Sequence, residues 1–242
     1  ALLAERGFGG PMHVFDHGHT VFRAFSRSPA QHHMTEDLGR RFDGIMELAI
    51  KPYSSVSFLH PCLDSLLGIA RRESLRSEDI ASIEVRFPSS GTHCIDGNPL
   101  KSHCAQYILP VALSPQGLSV TDLFVDRRET DAEVRRLSAK VTVVADDELD
   151  RGFPNAYDTI TTVRTRDGRS FSDRNGIARG YPEAPLSKAE IRTKFDRLAG
   201  SVASPARVAA LADTIEALPG ARDLGKYAAL MGAAPDAEGA GR

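Results

Sequence analysis

Residues 51–61 read Lys51-Pro-Tyr-Ser-Ser-Val-Ser-Phe-Leu-His60-Pro61, a turn-forming segment that ends at a proline. Pro61 suits the first position of a helix, because its missing N–H would be unpaired there, and apolar spacing predicts a helix over 62–70. A helix N-terminus carries partial positive charge and free amides, so Lys51 and His60 beside it suit the binding of a carboxylate. The same sequence also fits a structural interpretation, in which Lys51 is a solvated loop lysine and His60 only begins a helix. The pattern alone does not decide between carboxylate binding and this structural role.

The composition is that of an ordinary globular protein. The chain has 242 residues, of which 41% are hydrophobic and 26% are charged, enough for one large or two small cores. The net charge of −2 indicates neither a nucleic acid nor an anionic membrane as partner. No apolar run is long enough to span a membrane, and no signal peptide is visible.

Three cysteines, Cys62, Cys94 and Cys104, show no metal-type spacing. Their odd number favours reduced thiols in a cytoplasmic protein over a disulfide framework. The absence of a Cys-x-x-Cys motif also argues against an iron–sulfur cluster.

The order of patterns along the chain predicts three regions. Residues 1–50 begin with what reads as the last turns of a helix, so we expect a helical-domain remnant and connector there. Residues 51–180 contain alternating strands at 83–87, 140–144 and 158–173, the last a hairpin around Asp167-Gly168, which predicts an α+β domain. Residues 181–242 hold a Ser187/Glu190 capping box and further helices, followed by a tail from Gly232 that we expect to be disordered.

Five histidines near the start, His13, His17, His19, His32 and His33, raise the question of zinc. A zinc site needs three or four ligands with second-shell partners. No cysteine joins these histidines, and His17 and His19 flank a glycine, so we predict no bound metal in this segment.

The segment 102–113 has a helical pattern, with Pro110 as a kink or an end. His103 and Tyr107 are four residues apart, which would place them on one helix face. They fit a proton-handling pair, or equally a core tyrosine whose hydroxyl is satisfied by His103.

Four stretches in chain order resemble the MmgE/PrpD family, which includes 2-methylcitrate dehydratase, cis-aconitate decarboxylase and iminodisuccinate epimerase. They are Gly7-Phe-Gly-Gly-Pro11, Lys51-Pro-Tyr with His60 nine residues after the lysine, Ser102-His-Cys-Ala-Gln-Tyr107, and Pro185-Leu-Ser-Lys-Ala-Glu190 followed by Lys194-Phe195. The resemblance implies that residues 51–180 form a small α+β lid set against an all-helical domain, to which the chain returns at its end. It also implies an active-site tyrosine at Tyr107.

Two classes of function follow. The first is a lyase or isomerase that acts on a small di- or tricarboxylate without metal or cofactor. Its expected catalytic residues are Lys51, Tyr107 and His103, and Ser54 and His60 are expected to bind substrate. The motif ending at Tyr107 is most similar to the dehydratase branch, while decarboxylation and epimerisation stay open. We expect such an enzyme to need an N-terminal helical half, in the same or a separate chain, and to form a homodimer.

The second class is a non-catalytic subunit or fragment that serves as a binding or assembly module. It is favoured because the resemblance places further catalytic positions in an N-terminal half that the 242 residues do not include.

Overall fold

Two units divide the chain in the computed structural model, Ala1–Glu47 and Leu48–Arg242. The structure describes residues 2–15 and 20–232, except for the side chains of Asp43, Met46 and Lys226. His17 and His19 of the predicted histidine segment, and the predicted disordered tail beyond Gly232, lie outside the described residues.

The first unit consists of short helical pieces. Helix α1 is Leu2–Glu5 and helix α2 is Val21–Phe25, and 3₁₀ turns follow at Gln31–Met34 and Asp43–Glu47. Thr20 caps α2, its side chain accepting a hydrogen bond from the backbone N–H of Arg23. Large apolar side chains of this unit are exposed, among them Phe8, Met12, Phe25 and Phe42.

A mixed four-stranded sheet organises the second unit. Strand β1 is Ile80–Pro88, β2 is Val141–Asp146, β3 is Thr159–Thr165 and β4 is Ser170–Asn175, in the order β2-β1-β3-β4. Strand β1 runs parallel to β2 and antiparallel to β3, which pairs antiparallel with β4. The predicted α+β class is confirmed, and the predicted hairpin is β3–β4.

Helices cover the buried face of this sheet. Helix α3 is His60–Arg72, α4 is Ala105–Leu113, α5 is Arg127–Thr130 and α6 is Ala132–Ser138. Alternate residues of β1, namely Ile83, Val85 and Phe87, are fully buried in one core with Leu63, Leu66 and Ile69 of α3 and Tyr107 and Ile108 of α4. This alternation is the period-two pattern of a half-buried strand, and it fixes which sheet face receives the helices.

Helix α4 corrects the sequence prediction at its start. The chain from Lys101 to His103 forms a 3₁₀ turn, and Cys104 has extended backbone angles of φ −88° and ψ 110°. The helix therefore cannot run back to His103, and the expected four-residue relation between His103 and Tyr107 on one helix face is wrong. Pro110 lies inside α4, whereas the sequence left open whether it would end the helix.

Three helices complete the described chain. Helix α7 is Lys188–Ala199, α8 is Pro205–Ala217 and α9 is Gly225–Gly232. The predicted capping box is present at the start of α7, between Ser187 and Glu190. Among the described residues, no helix is both long and apolar enough to cross a membrane.

Candidate functional site

A cleft of about 230 Å³ in the second unit lies between the turn that follows Lys51, the segment 118–120 and helix α7. Apolar side chains such as Leu118, Val120 and Leu198 form part of its wall. The polar part comes from Ser54, Arg179, Glu190, Thr193, Lys194 and Arg197. A mostly apolar pocket with a few convergent polar groups is the usual form of a small-molecule site.

Two cations on α7 give the cleft its charge. Lys194 and Arg197 are three residues apart, so they lie on one helix face. The ammonium of Lys194 donates to the backbone carbonyl of Lys51 at 2.6 Å, and the guanidinium of Arg197 donates to that of Gln116 at 3.0 Å. Neither cation forms an ion pair with a carboxylate of the described chain, so both charges remain available to an anionic ligand.

Arg179 is held differently. Its guanidinium contacts Asp64 at 3.4 Å and also pairs with Glu190 of the capping box. The hydroxyl of Tyr53 donates to the same Asp64 carboxylate at 2.6 Å. Burial raises the pKa of Asp64, while the hydrogen bonds from Tyr53 and Arg179 act against that rise. This network fixes the position of Arg179 at the cleft and offsets its charge.

Of the predicted substrate-binding residues, Ser54 lines the cleft. Lys51, predicted to be catalytic, is exposed beside it, with its ammonium 3.5 Å from the carbonyl of Ser55. Its backbone carbonyl accepts the hydrogen bond from Lys194. The turn therefore brings Lys51, Ser54 and Lys194 into one neighbourhood.

His60 lies behind this turn and is fully buried. Neither ring nitrogen has a hydrogen-bond partner among the described residues, and Tyr53 packs edge-on against the ring at 5.5 Å between centroids. Burial, together with the charges of Lys51 and Lys194, lowers the pKa of His60 to about 4, and the nearby backbone of Ser55 offsets only part of this shift. His60 is thus neutral at pH 7 and closed to solvent in this conformation.

Tyr107 and His103 are not among the residues that line the cleft. Tyr107 is fully buried, and its hydroxyl lies 2.6 Å from the carbonyl of Asp122 and 2.8 Å from that of Val125. It also accepts a hydrogen bond from the backbone N–H of Arg127 at 3.2 Å. Burial raises the pKa of Tyr107. The hydroxyl is therefore satisfied by backbone groups, not by His103, whose ring pairs with Ser102 at 2.9 Å.

Sequence reasoning did not select Arg179, Lys194 or Arg197 as site residues. A signal was present for two of them, because the capping box fixes the register of α7 and a Lys-x-x-Arg spacing within it gives one cationic face. Nothing local to Arg179 points to the cleft, since its position depends on Asp64, 115 residues earlier in the chain.

The family model of the MmgE/PrpD C-terminal domain matches residues 53–219. The match covers the sheet, its helices, the cleft and α7, which is more than half of the chain. The chain therefore belongs to the MmgE/PrpD family and contains its C-terminal domain. No curated protein matches the chain.

Proposed function

We propose that this chain is the lid-type C-terminal part of a lyase of the 2-methylcitrate dehydratase kind, which acts on a small di- or tricarboxylate. Membership of the MmgE/PrpD family supports the class of enzyme. The observation that carries the choice of substrate is the pair Lys194 and Arg197, two cations directed to one cleft without a carboxylate partner in the described chain. Charged donors on a carboxylate form the stronger class of hydrogen bond.

The proposed reaction requires cations close to the substrate atoms on which negative charge develops. Removal of a proton next to a carboxylate builds charge on the carboxylate oxygens, and fixed cations and hydrogen-bond donors lower the energy of that state. In the proposal, Lys194 and Arg197 bind one carboxylate, the hydroxyl of Ser54 orients it, and Lys51 stabilises the developing charge from the edge of the cleft.

Proton transfer is assigned to Tyr107 or His103, which are chemically able to act as acid or base. Tyr107 can transfer a proton only if its hydroxyl is free to reach the substrate. Its hydroxyl must first leave the backbone groups of residues 122–127, so the acting form of the enzyme has that segment shifted. No metal or cofactor takes part in the proposed reaction.

The proposed enzyme is completed by an N-terminal helical half, in the same or a separate chain, and by a second copy in a homodimer. Exposed apolar side chains in the first unit, such as Phe8, Met12, Phe25 and Phe42, support a partner surface, because large exposed apolar patches usually mark interfaces.

A non-catalytic binding or assembly module is the second candidate. It is favoured by Tyr107 and His60, since the hydroxyl of the first is occupied by backbone groups and the second is buried. A related decarboxylase or epimerase would use the same cleft and differ in the step that follows proton removal.

Turnover decides between these candidates. The chain, alone and mixed with the helical domain of an MmgE/PrpD protein, is incubated with 2-methylcitrate, citrate and cis-aconitate, and products are followed by NMR. The proposal expects dehydration of 2-methylcitrate by the mixture, and its loss in Lys194→Gln and Arg197→Gln. Arg192→Gln is the matched control, because Arg192 is on the same helix and pairs with Asp196. Substrate binding without turnover would favour the module, and neither binding nor turnover would contradict both.

A further inference from the structure

Three side chains able to ligate a metal converge within the first unit. His32, His33 and Glu36 each offer one ligand atom, and these atoms all lie within 4.8 Å of one another. The two imidazole rings are 4.0 Å apart between centroids, and Nδ1 of His33 is 2.8 Å from a carboxylate oxygen of Glu36. All three side chains are exposed, so an ion from solvent reaches them without unfolding.

Backbone hydrogen bonds fix the turn that carries these side chains. The carbonyl of His32 accepts from the N–H groups of Thr35 at 3.1 Å and Glu36 at 2.9 Å. The side-chain amide of Gln31 donates to the hydroxyl of Thr20 at 3.3 Å, and Thr20 is buried. The ligand atoms therefore come from one short segment that is already folded back on itself, which reduces the ordering that metal binding would require.

We propose that His32, His33 and Glu36 bind one divalent transition-metal ion of the zinc class. Two imidazole nitrogens and one carboxylate oxygen suit Zn²⁺, whereas Mg²⁺ prefers oxygen ligands. With three protein ligands, the fourth position of a tetrahedral ion is left to water. The site is independent of the proposed lyase function.

This proposal departs from the sequence prediction that no metal binds among the histidines at 13–33. That prediction rested on the lack of a cysteine near these histidines and on the glycine between His17 and His19. The third ligand is instead the carboxylate of Glu36, which the turn brings back to His33.

The test is calorimetric titration of the intact chain, purified without a polyhistidine tag, with ZnCl₂ and separately with MgCl₂. We expect one zinc ion per chain and no comparable magnesium uptake. His33→Ala and Glu36→Ala should each weaken zinc binding by at least about tenfold, because even loss of a group that only supports a ligand costs 10–100-fold. Circular dichroism establishes that both variants are folded.

The matched control is His93→Ala. Nε2 of His93 lies 3.4 Å from Sγ of Cys94, so this pair offers zinc two neighbouring ligand atoms, one fewer than the proposed site. Zinc binding should be unchanged in this variant. The proposal is overturned if the intact chain takes up no zinc, if His33→Ala and Glu36→Ala bind it as the parent does, or if His93→Ala abolishes the uptake.

Discussion

At the scale of single residues, the hydroxyl of Tyr107 joins two separate parts of the chain. It contacts the carbonyls of Asp122 and Val125 and the N–H of Arg127, and so connects residues 122–127, which follow the cleft-lining segment 118–120, to helix α4. Buried backbone groups that lose a partner cost the full penalty of their desolvation. This tyrosine therefore has a structural role whether or not it also transfers a proton.

Tyr107→Phe should lower the free energy of unfolding by about 1–3 kcal/mol, because the phenylalanine leaves the buried backbone carbonyl of Asp122 without this partner. Urea unfolding followed by circular dichroism measures the change. Tyr227→Phe is the control, since the hydroxyl of Tyr227 makes no hydrogen bond with the described residues. Equal stability of Tyr107→Phe and the parent would mean that the three contacts do not stabilise the fold.

His60 should make stability depend on pH. Its pKa is about 4 in the folded chain, against 6.5 for an accessible histidine, so the unfolded state binds the proton more readily. The His60 contribution is then complete above pH 6.5, declines as the pH falls towards 4, and does not change further below 4. Between pH 7.5 and 4.5 the parent should lose about 2–3 kcal/mol more than His60→Gln, since each pKa unit corresponds to ~1.4 kcal/mol.

Urea unfolding at a series of pH values provides this comparison. The comparison uses the change in the free energy of unfolding between pH 7.5 and 4.5, measured separately for the parent and for His60→Gln. Any effect of the substitution on stability at pH 7.5 therefore cancels. Parallel curves for the parent and the variant would show that His60 is not buried in its neutral form.

Local sequence patterns indicated some of the residues at the cleft and not others. Ser54 and Lys51 were selected as candidate site residues because the Lys-Pro-Tyr turn and the helix after it are local features. His60 was selected for its position before Pro61, but its burial depends on Tyr53 and on packing that no local pattern reveals. Arg179 was not selected, because its position at the cleft depends on a contact with Asp64, more than a hundred residues away in the chain.

At the scale of elements, a backbone contact joins the two ends of the α+β region. The N–H of Ile50 donates to the carbonyl of Gly180 at 2.9 Å, and Gly180 has φ +93°. A Cβ at this position would overlap the carbonyl oxygen of Ile50. The close approach requires glycine both for its backbone angle and for its lack of a side chain.

Gly180→Ala should therefore be more destabilising than Gly168→Ala. Gly168, in the β3–β4 turn, has a similar φ of +89° but no atom within 4 Å of an added Cβ. Gly168→Ala therefore measures only the cost of holding a residue with a side chain at positive φ, which is about 1–3 kcal/mol in the free energy of unfolding. A melting temperature for Gly180→Ala no lower than that of Gly168→Ala would contradict the close contact.

The elements predicted best from the sequence are those whose structure is determined by a few neighbouring residues. The Asp167-Gly168 turn between alternating strands and the Ser187/Glu190 capping box both have their physical cause within a few residues, and both elements formed as expected. Helix α4 did not begin where its apolar pattern begins. The backbone at Cys104 is extended, and the N–H of Ala105 donates to the carbonyl of Ile95 at 2.9 Å, a tertiary contact that apolar spacing does not encode.

At the scale of the whole molecule, the net charge of −2 conceals a local excess of positive charge. Several basic groups elsewhere in the described chain pair with carboxylates, as Arg86 does with Asp146 and Arg174 with Asp158. By contrast, Lys51, Lys194 and Arg197 lie in or beside one cleft and donate to backbone carbonyls. Fixed charges of one sign in a partly apolar cleft raise the local concentration of ligands of the opposite sign. The placement of these charges supports a carboxylate substrate more directly than composition does.

The most direct test of this account is a titration of the ¹⁵N-labelled chain with 2-methylcitrate, followed by two-dimensional NMR. The account predicts saturable shifts in the backbone signals of Ser54, Lys194 and Arg197. The affinity should fall by roughly tenfold or more in Lys194→Gln and in Arg197→Gln, since a hydrogen bond to a charged group is worth about 1.5–3 kcal/mol, and it should be unchanged in Arg192→Gln. No saturable shifts at these residues, or equal affinity in the parent and both cleft variants, would contradict the assignment of this cleft as the carboxylate site.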